Sequence, residues 1–185
     1  MTGVEPVEVN AGAYYLRSLR ADDRIDDRPA VLAAFTDAET ARWVPEYSVT
    51  TMAEAGAYIA ERGREWLDDE RCSWAVALPS TGELIGEVGL KHLDLASGTA
   101  DIACWTHPAH RGRGVAAHAV AAAVRFGFGA LDLRTVGYGY VDGNAASARV
   151  AAKCGFGPVR HRVAAATTVD GMPRDLLCFT IEALP

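Results

Sequence analysis

The sequence is short of the features that mark several large classes of protein. It holds four cysteines, Cys72, Cys104, Cys154 and Cys178, and no C-x-x-C pair, so neither a zinc knuckle nor a dithiol redox site is expected. The four lie far apart among apolar neighbours and read as reduced core residues. Lysine is nearly missing: Lys91 and Lys153 stand alone among 18 basic residues, and the formal net charge is −6. Broad nucleic-acid binding needs a basic face, which this balance denies. No uncharged apolar run is long enough to span a bilayer, so no membrane partner is expected. Met1 to Asn10 carries acids and no basic-then-apolar pattern, so a signal peptide is not expected and a cytoplasmic protein is. No repeat, low-complexity tract or linker divides the chain. A single domain over residues 1–185 follows, with residues 1–12 as a flexible lead.

What is present is a mixed α/β pattern. Tyr14 to Arg20 alternates as a first strand, and Arg24 to Asp37 reads as a helix with Asp26 and Asp27 at its favourable positive end. Arg42 to Val49, with Trp43, Pro45 and Tyr47, reads as an irregular loop. Thr51-Met52-Ala53-Glu54 is a capping box, followed by apolar residues at helical spacing with Arg62 among them, its head expected in water. Cys72 to Leu78, Leu84 to His92 and Thr99 to Thr106 read as an antiparallel meander. Gly114 to Gly129 then reads as a buried, alanine-rich helix. Thr135 to Val141 is a strand, Asn144 to Cys154 a helix ended by Gly155, and Pro158 to Ala166 and Leu176 to Ala183 are final strands joined around Asp170-Gly171. The strand–helix–strand run from Thr99 implies parallel strands in a mixed sheet.

The strongest local signal is a strand, then Arg111-Gly112-Arg113-Gly114, then the helix starting Val115-Ala116. The first N–H groups of a helix lack internal partners and lie at the positive end of its dipole, so an anion there meets several donors. Glycine lets the backbone come close to a diphosphate, and Arg111 and Arg113 add charge that suits phosphate. A plain tight turn remains the alternative. Gly112-x-Gly114-x-x-Ala117 also fits a dinucleotide fingerprint, but a meander precedes it and no acid is well placed at the end of the next strand. The second constellation is Asn144-x-x-Ser147 with Lys153-x-Gly155-Phe156. Asn144 serves equally as a helix cap or as a cofactor contact, because this helix starts beside the glycine-loop helix at one sheet edge.

These residues resemble the GNAT N-acetyltransferase superfamily. Arg111-x-x-Gly114-x-Ala116 matches its R/Q-x-x-G-x-G/A loop. Asn144-x-x-Ser147 with Lys153-x-Gly155-Phe156 looks like the ribosomal-protein N-terminal (Rim-type) branch. Leu16 to Asp23, Trp43-Val44-Pro45 and Asp101 to Trp105 are similar to that branch too, although Cys104 stands where it usually has tyrosine and Asp101 where it usually has glutamate. The resemblance implies an α/β (α+β) fold with a mixed, mostly antiparallel sheet of about seven strands and about four helices, splayed between the fourth and fifth strands. It implies acetyl-CoA as co-substrate, no metal, and a homodimer. Pyrophosphate would rest on Arg111, Gly112, Arg113, Gly114, Val115 and Ala116, and pantetheine would run along Trp105, Thr106 and His107 to Asn144 and Ser147.

Acyl transfer to an amine needs a neutral nitrogen, donors for the tetrahedral oxyanion, and a partner for the departing thiolate. Main-chain N–H groups near Trp105 and Thr106 are expected at the oxyanion and Ser147 at the thiolate. Glu87 and Asp101 are candidate bases, or simply paired strand carboxylates. His107 and His110 read as exposed turn residues, and their pair lacks a third metal ligand. Trp43 and Tyr47 are expected on the acceptor wall. The function implied is transfer of acetyl to a primary amine, of a protein N-terminus or a small molecule. A non-catalytic acyl-CoA-binding module and a nicotinamide-dependent oxidoreductase are the alternatives.

Overall fold

A computed structural model of the chain describes residues 5–44, 47–167 and 173–184, with only the backbone described over 158–167 and at 173. Pro45 and the turn around Asp170 and Gly171 lie outside the described residues. The elements run β1 (Val9–Ala11), β2 (Tyr14–Arg17), α1 (Arg28–Thr36), α2 (Ala38–Trp43), α3 (Met52–Leu67), β3 (Arg71–Ala77), β4 (Leu84–Asp94), β5 (Thr99–Thr106), α4 (Val115–Ala130), β6 (Thr135–Val141), α5 (Ala145–Lys153), β7 (Gly157–Thr167) and β8 (Pro173–Glu182). One sheet holds all eight strands in the order β1-β2-β3-β4-β5-β6-β8-β7. It is mixed and mostly antiparallel, and β5 with β6 is its parallel pair.

Among the boundaries that differ from the sequence reading, three have an identifiable reason. The lead expected to be flexible through residue 12 instead supplies β1, which pairs with β2. Long-range bonds fasten it: Trp74 Nε1 donates to Val7 O, and Arg125 donates to Asn10 O. The first helix starts at Arg28 because Asp22 accepts from the N–H groups of Arg24 and Ile25, which closes a turn there instead. The helix also ends early. Asp37 leaves helical geometry (φ −72°, ψ 129°) and accepts from Thr40 N, so it caps a separate helix, α2, which runs into the loop expected from Arg42.

The sheet buries both faces. Under α4 lies the larger core, with Leu16, Trp74, Ile85, Leu90 and Val136 fully covered. The alanines of α4 allow this close approach: Ala119, Ala122 and Ala123 are buried against the sheet. Under α1 and α3 lies a smaller cluster of Val31, Phe35, Val49, Ala55, Tyr58 and Ile59. Thr51 and Glu54 form both halves of the expected capping box on α3. Arg62 departs from its expectation. Its head does not reach water: it is 3% exposed, bonds Glu65 at 2.7 Å and lies 4.6 Å over the Tyr58 ring.

The placement of α1 rests on one buried ion pair. Arg17 forks onto both Asp27 oxygens at 2.8 Å and also donates to Ser18 O and Gly82 O. Asp27 accepts in addition from Arg20 N. Together they tie β2, the β3–β4 turn and the start of α1. Breaking a buried pair strands a charge, so Asp27→Ala is expected to destabilise the fold by about 3–5 kcal/mol. Urea denaturation of the two proteins measures the difference.

Candidate active site

β5 and β6 pair only from Thr99↔Thr135 to Ile102↔Tyr138. Beyond that point the strands part, while β6 keeps its other edge on β8 through Val141. A cleft of about 1160 Å³ fills the opening and runs from the N-terminus of α4 to α1 and α2. His107 N donates to Ile85 O, and in an antiparallel ladder the N–H groups alternate sides. The Trp105 N–H therefore points at β4, and those of Cys104 and Thr106 point at the gap. Of the amides near Trp105 and Thr106, those of Thr106 and Cys104 are thus free in the gap, and the Trp105 amide is spent in the sheet.

The glycine loop forms one end of the cleft. Gly112 and Gly114 both have φ +77°, which L side chains adopt only with strain, and Gly114 caps α4. The first α4 bond is His118 N to Gly114 O, so the N–H groups of Val115, Ala116 and Ala117 have no intrahelical partner. Arg111, Gly112, Gly114, Val115 and Ala116 line the cleft, as the sequence led us to expect. Arg113 does not; its carbonyl accepts from the Tyr14 hydroxyl at 3.4 Å. His107 also stays outside the lining and instead caps the turn Pro108–His110, its ring accepting from Ala109 N. Burial and the neighbouring His110 lower its pKa. His110, read from sequence as an exposed turn residue, has a side chain 13% exposed, lies 3.5 Å from Glu83 and lines the cleft.

Arg111 does more than line the loop. Its guanidinium reaches 74 residues back to bond Asp37, and it donates to Thr40 Oγ1 at 2.8 Å. Its charge is therefore already partnered, and the loop is latched to the cap of α2. That helix carries Glu39 and Trp43 into the cleft wall. Arg111 first, and Thr40 next among the favourable bonds, hold the Asp37 carboxyl below its ordinary range.

At the α5 side, Asn144 Oδ1 accepts from Ser147 N at 3.0 Å, so the cap is made. The Asn144 NH2 has no protein partner among the described residues, which leaves its donors for a ligand in the cleft it lines. Ser147 lines the cleft too, its Oγ 2.9 Å from the Tyr138 hydroxyl.

The two proposed bases fare differently. Glu87 is 1% exposed on the cleft wall, but both oxygens are engaged: Oε2 by Tyr58 at 2.7 Å and Trp105 Nε1 at 3.0 Å, Oε1 by Arg71 at 3.1 Å. This makes it an anchor for that wall of the cleft. Asp101 is not brought in. It is half exposed, bonds the His92 ring at 3.0 Å and stays off the cleft lining. Trp43 and Tyr47 do line the cleft. Trp43 Nε1 donates to Glu39, and the Tyr47 hydroxyl accepts from Arg71 at 3.3 Å. Sequence reasoning missed Tyr138, Glu39 and Asp37. Only Asp37 left a signal, as the aspartate three residues before Thr40.

A model of the acetyltransferase (GNAT) domain matches residues 15–157. No match is found among curated proteins. Among solved structures, RimJ of Mycobacterium smegmatis in complex with CoA-disulfide superposes with a TM-score of 0.85 at 22% identity, over 99% of this chain and 90% of that one. The ribosomal-protein-S5-alanine acetyltransferase of Vibrio fischeri gives 0.81 at 17% identity, over 95% and 96%. The spermidine N-acetyltransferase of Vibrio cholerae in complex with CoA and spermine gives 0.78 at 19% identity, over 92% and 95%.

Two outcomes test this geometry. Gly114→Val puts a β-branched residue at φ +77° and crowds the first amides of α4. It is expected to abolish CoA binding by calorimetry and to cost about 1–2 kcal/mol of stability. Asp37→Asn is expected to lower Tm by at most about 4 °C, the shift an exposed ion pair gives in a chain of this size. The folded Asp37 pKa is depressed, so its contribution is complete above the unfolded carboxyl value of about 3.9 and is lost as pH falls through the folded one. The Tm gap between the two proteins is therefore expected to be constant from pH 8 to 5 and to close below 4.

Proposed function

Because this chain belongs to the GNAT acetyltransferase family, we propose that it moves an acetyl group from acetyl-CoA to a primary amine by direct attack through a tetrahedral intermediate. The observation that carries this reading is the meeting, in one cleft, of free amides at the head of α4 and free amides on the parted edge of β5. The first set suits a diphosphate and the second a pantetheine chain and a thioester oxygen. The acceptor nitrogen bonds to the thioester carbon, the carbon–sulfur bond breaks, and the electron pair leaves on sulfur. Ser147 donates a hydrogen bond to that sulfur as charge develops. Asn144 meets the pantetheine with its free NH2, and Arg111 acts from outside the phosphate contact by holding the loop on α2.

The acceptor enters between Trp43 and Tyr47, against a wall that Glu87 fixes through Tyr58 and Trp105. With Glu87 engaged on both oxygens and Asp101 elsewhere, deprotonation falls to solvent in the open cleft. That favours an amine of low pKa. An α-amino group with pKa about 7.7–8.0 is roughly a quarter neutral at pH 7.4, whereas lysine-like amines near 10.4 are about a thousandth neutral. A protein or peptide N-terminus therefore fits better than an aliphatic amine.

Thiol release from acetyl-CoA with a panel of peptides and small amines tests this. Turnover is expected on α-amines, and Ser147→Ala is expected to lower kcat by about 10²-fold with CoA affinity nearly unchanged. CoA binding with no turnover on any amine points instead to a non-catalytic module, and binding of NAD in place of CoA excludes the transferase.

A further inference from the structure

Where β5 and β6 part, three polar atoms stand in a row, of which the reaction above uses only the Ser147 hydroxyl. The Tyr138 hydroxyl lies 2.9 Å from Ser147 Oγ and 3.6 Å from Cys104 Sγ. Tyr138 sits on β6 at the last pair with β5, Cys104 on β5 just past it, and Ser147 in the first turn of α5. The contact thus spans the vertex of the gap. We propose that Tyr138 is a positioning residue that turns the Ser147 hydroxyl proton toward the thioester sulfur. This inference rests on the reading of Ser147 as the leaving-group donor.

The direction of the row follows from what each group can give and take. A phenol has one proton, and it goes to the better acceptor. Serine oxygen is a far better acceptor than a thiol sulfur, and it is the nearer of the two. Burial pushes the Cys104 thiol up to about 11, so it stays protonated at neutral pH and donates weakly to the phenol oxygen. The order is then Cys104 S–H to Tyr138, Tyr138 O–H to Ser147, and each donor polarises the next.

Ser147 Oγ makes no other hydrogen bond among the described residues, and its N–H is held by Asn144. A serine in a helix commonly turns its hydroxyl back onto a carbonyl one turn earlier. With Tyr138 donating into its oxygen, the Ser147 proton is left on the remaining side, where both residues line the cleft. Without the phenol, nothing opposes the turn back. The proton balance of the transfer is unchanged. The attacking nitrogen sheds its extra proton to solvent, the thiolate regains one from solvent, and the row only orients the bond that Ser147 gives to sulfur.

Tyr138→Phe isolates the hydroxyl, because the ring keeps its contacts with Phe156 at 5.2 Å and with Tyr140 at 6.3 Å. A double-mutant cycle with Ser147→Ala reads the coupling. We expect Tyr138→Phe to lower kcat on the order of tenfold, with CoA Kd unchanged within experimental error. In the Ser147→Ala background, Tyr138→Phe is expected to change kcat no further. A structural role gives a different pattern, since weakened CoA binding matching the loss in kcat, or losses that multiply in the double variant, overturns the positioning role. Full kcat in Tyr138→Phe also overturns it. If Ser147→Ala itself keeps full kcat, the underlying reading of Ser147 fails and this inference falls with it.

Discussion

The site depends on a hydrogen-bond ladder that stops. β5 and β6 share a parallel register for four pairs, and the parallel ladder then ends although both strands continue for several residues. A sheet interior offers no free amide. An opened one offers a row of them, fixed in direction by the pairing on the other side. Here β4 holds β5 and β8 holds β6, so neither strand relaxes into the gap. The exposed donors are therefore preorganised, and donors already aimed before charge develops are those that contribute most to acyl transfer.

The rest of the fold keeps that opening supplied from both sides. α4 delivers its free first-turn amides to one end because Gly112 and Gly114 accept a left-handed backbone that few residues tolerate. α1 and α2 deliver the other wall. They are held by two ion pairs of different character: Arg17 with Asp27, buried and bidentate, and Arg111 with Asp37, half exposed and at the loop itself. The second pair joins the two halves of the cleft. A guanidinium that sequence reasoning gave to phosphate is used to set the distance between the loop and the acceptor helices.

What could be read beforehand and what could not divide along a physical line. The Thr51–Glu54 box, the Asn144 cap and the glycines of the loop are local, each set by residues within a few positions of one another, and each took the expected form. The failures lie mostly in meetings between elements, although Arg62 is buried by Glu65 and the Tyr58 ring on its own helix. Both Glu87 oxygens are engaged because Tyr58, Arg71 and Trp105 converge on them from three elements. Asp101 turns to His92, on the strand beside it. Spacing along a chain carries no record of such meetings. The α2 boundary failed for a subtler reason: Asp37 reads in sequence as the end of one helix, whereas it leaves helical geometry and caps the next.

This division also explains why the donor is more legible than the acceptor. In the proposed function a diphosphate and a pantetheine amide would be met by main chain, and main chain can be offered to a ligand in few ways. It requires glycine, a helix start or an interrupted strand, and all three leave marks in sequence. An amine acceptor would be met by side chains on the cleft's other wall, Trp43 and Glu39 on α2 and Tyr58 on α3, whose positions depend on what they pack against. Such a wall can change residue by residue while the loop and the gap stay as they are. On the proposed function, selectivity among amines would then rest on two things: the shape of that aromatic wall, and the fraction of acceptor already neutral on arrival. With both Glu87 oxygens engaged, the second of these would be a property of the amine and not of the protein.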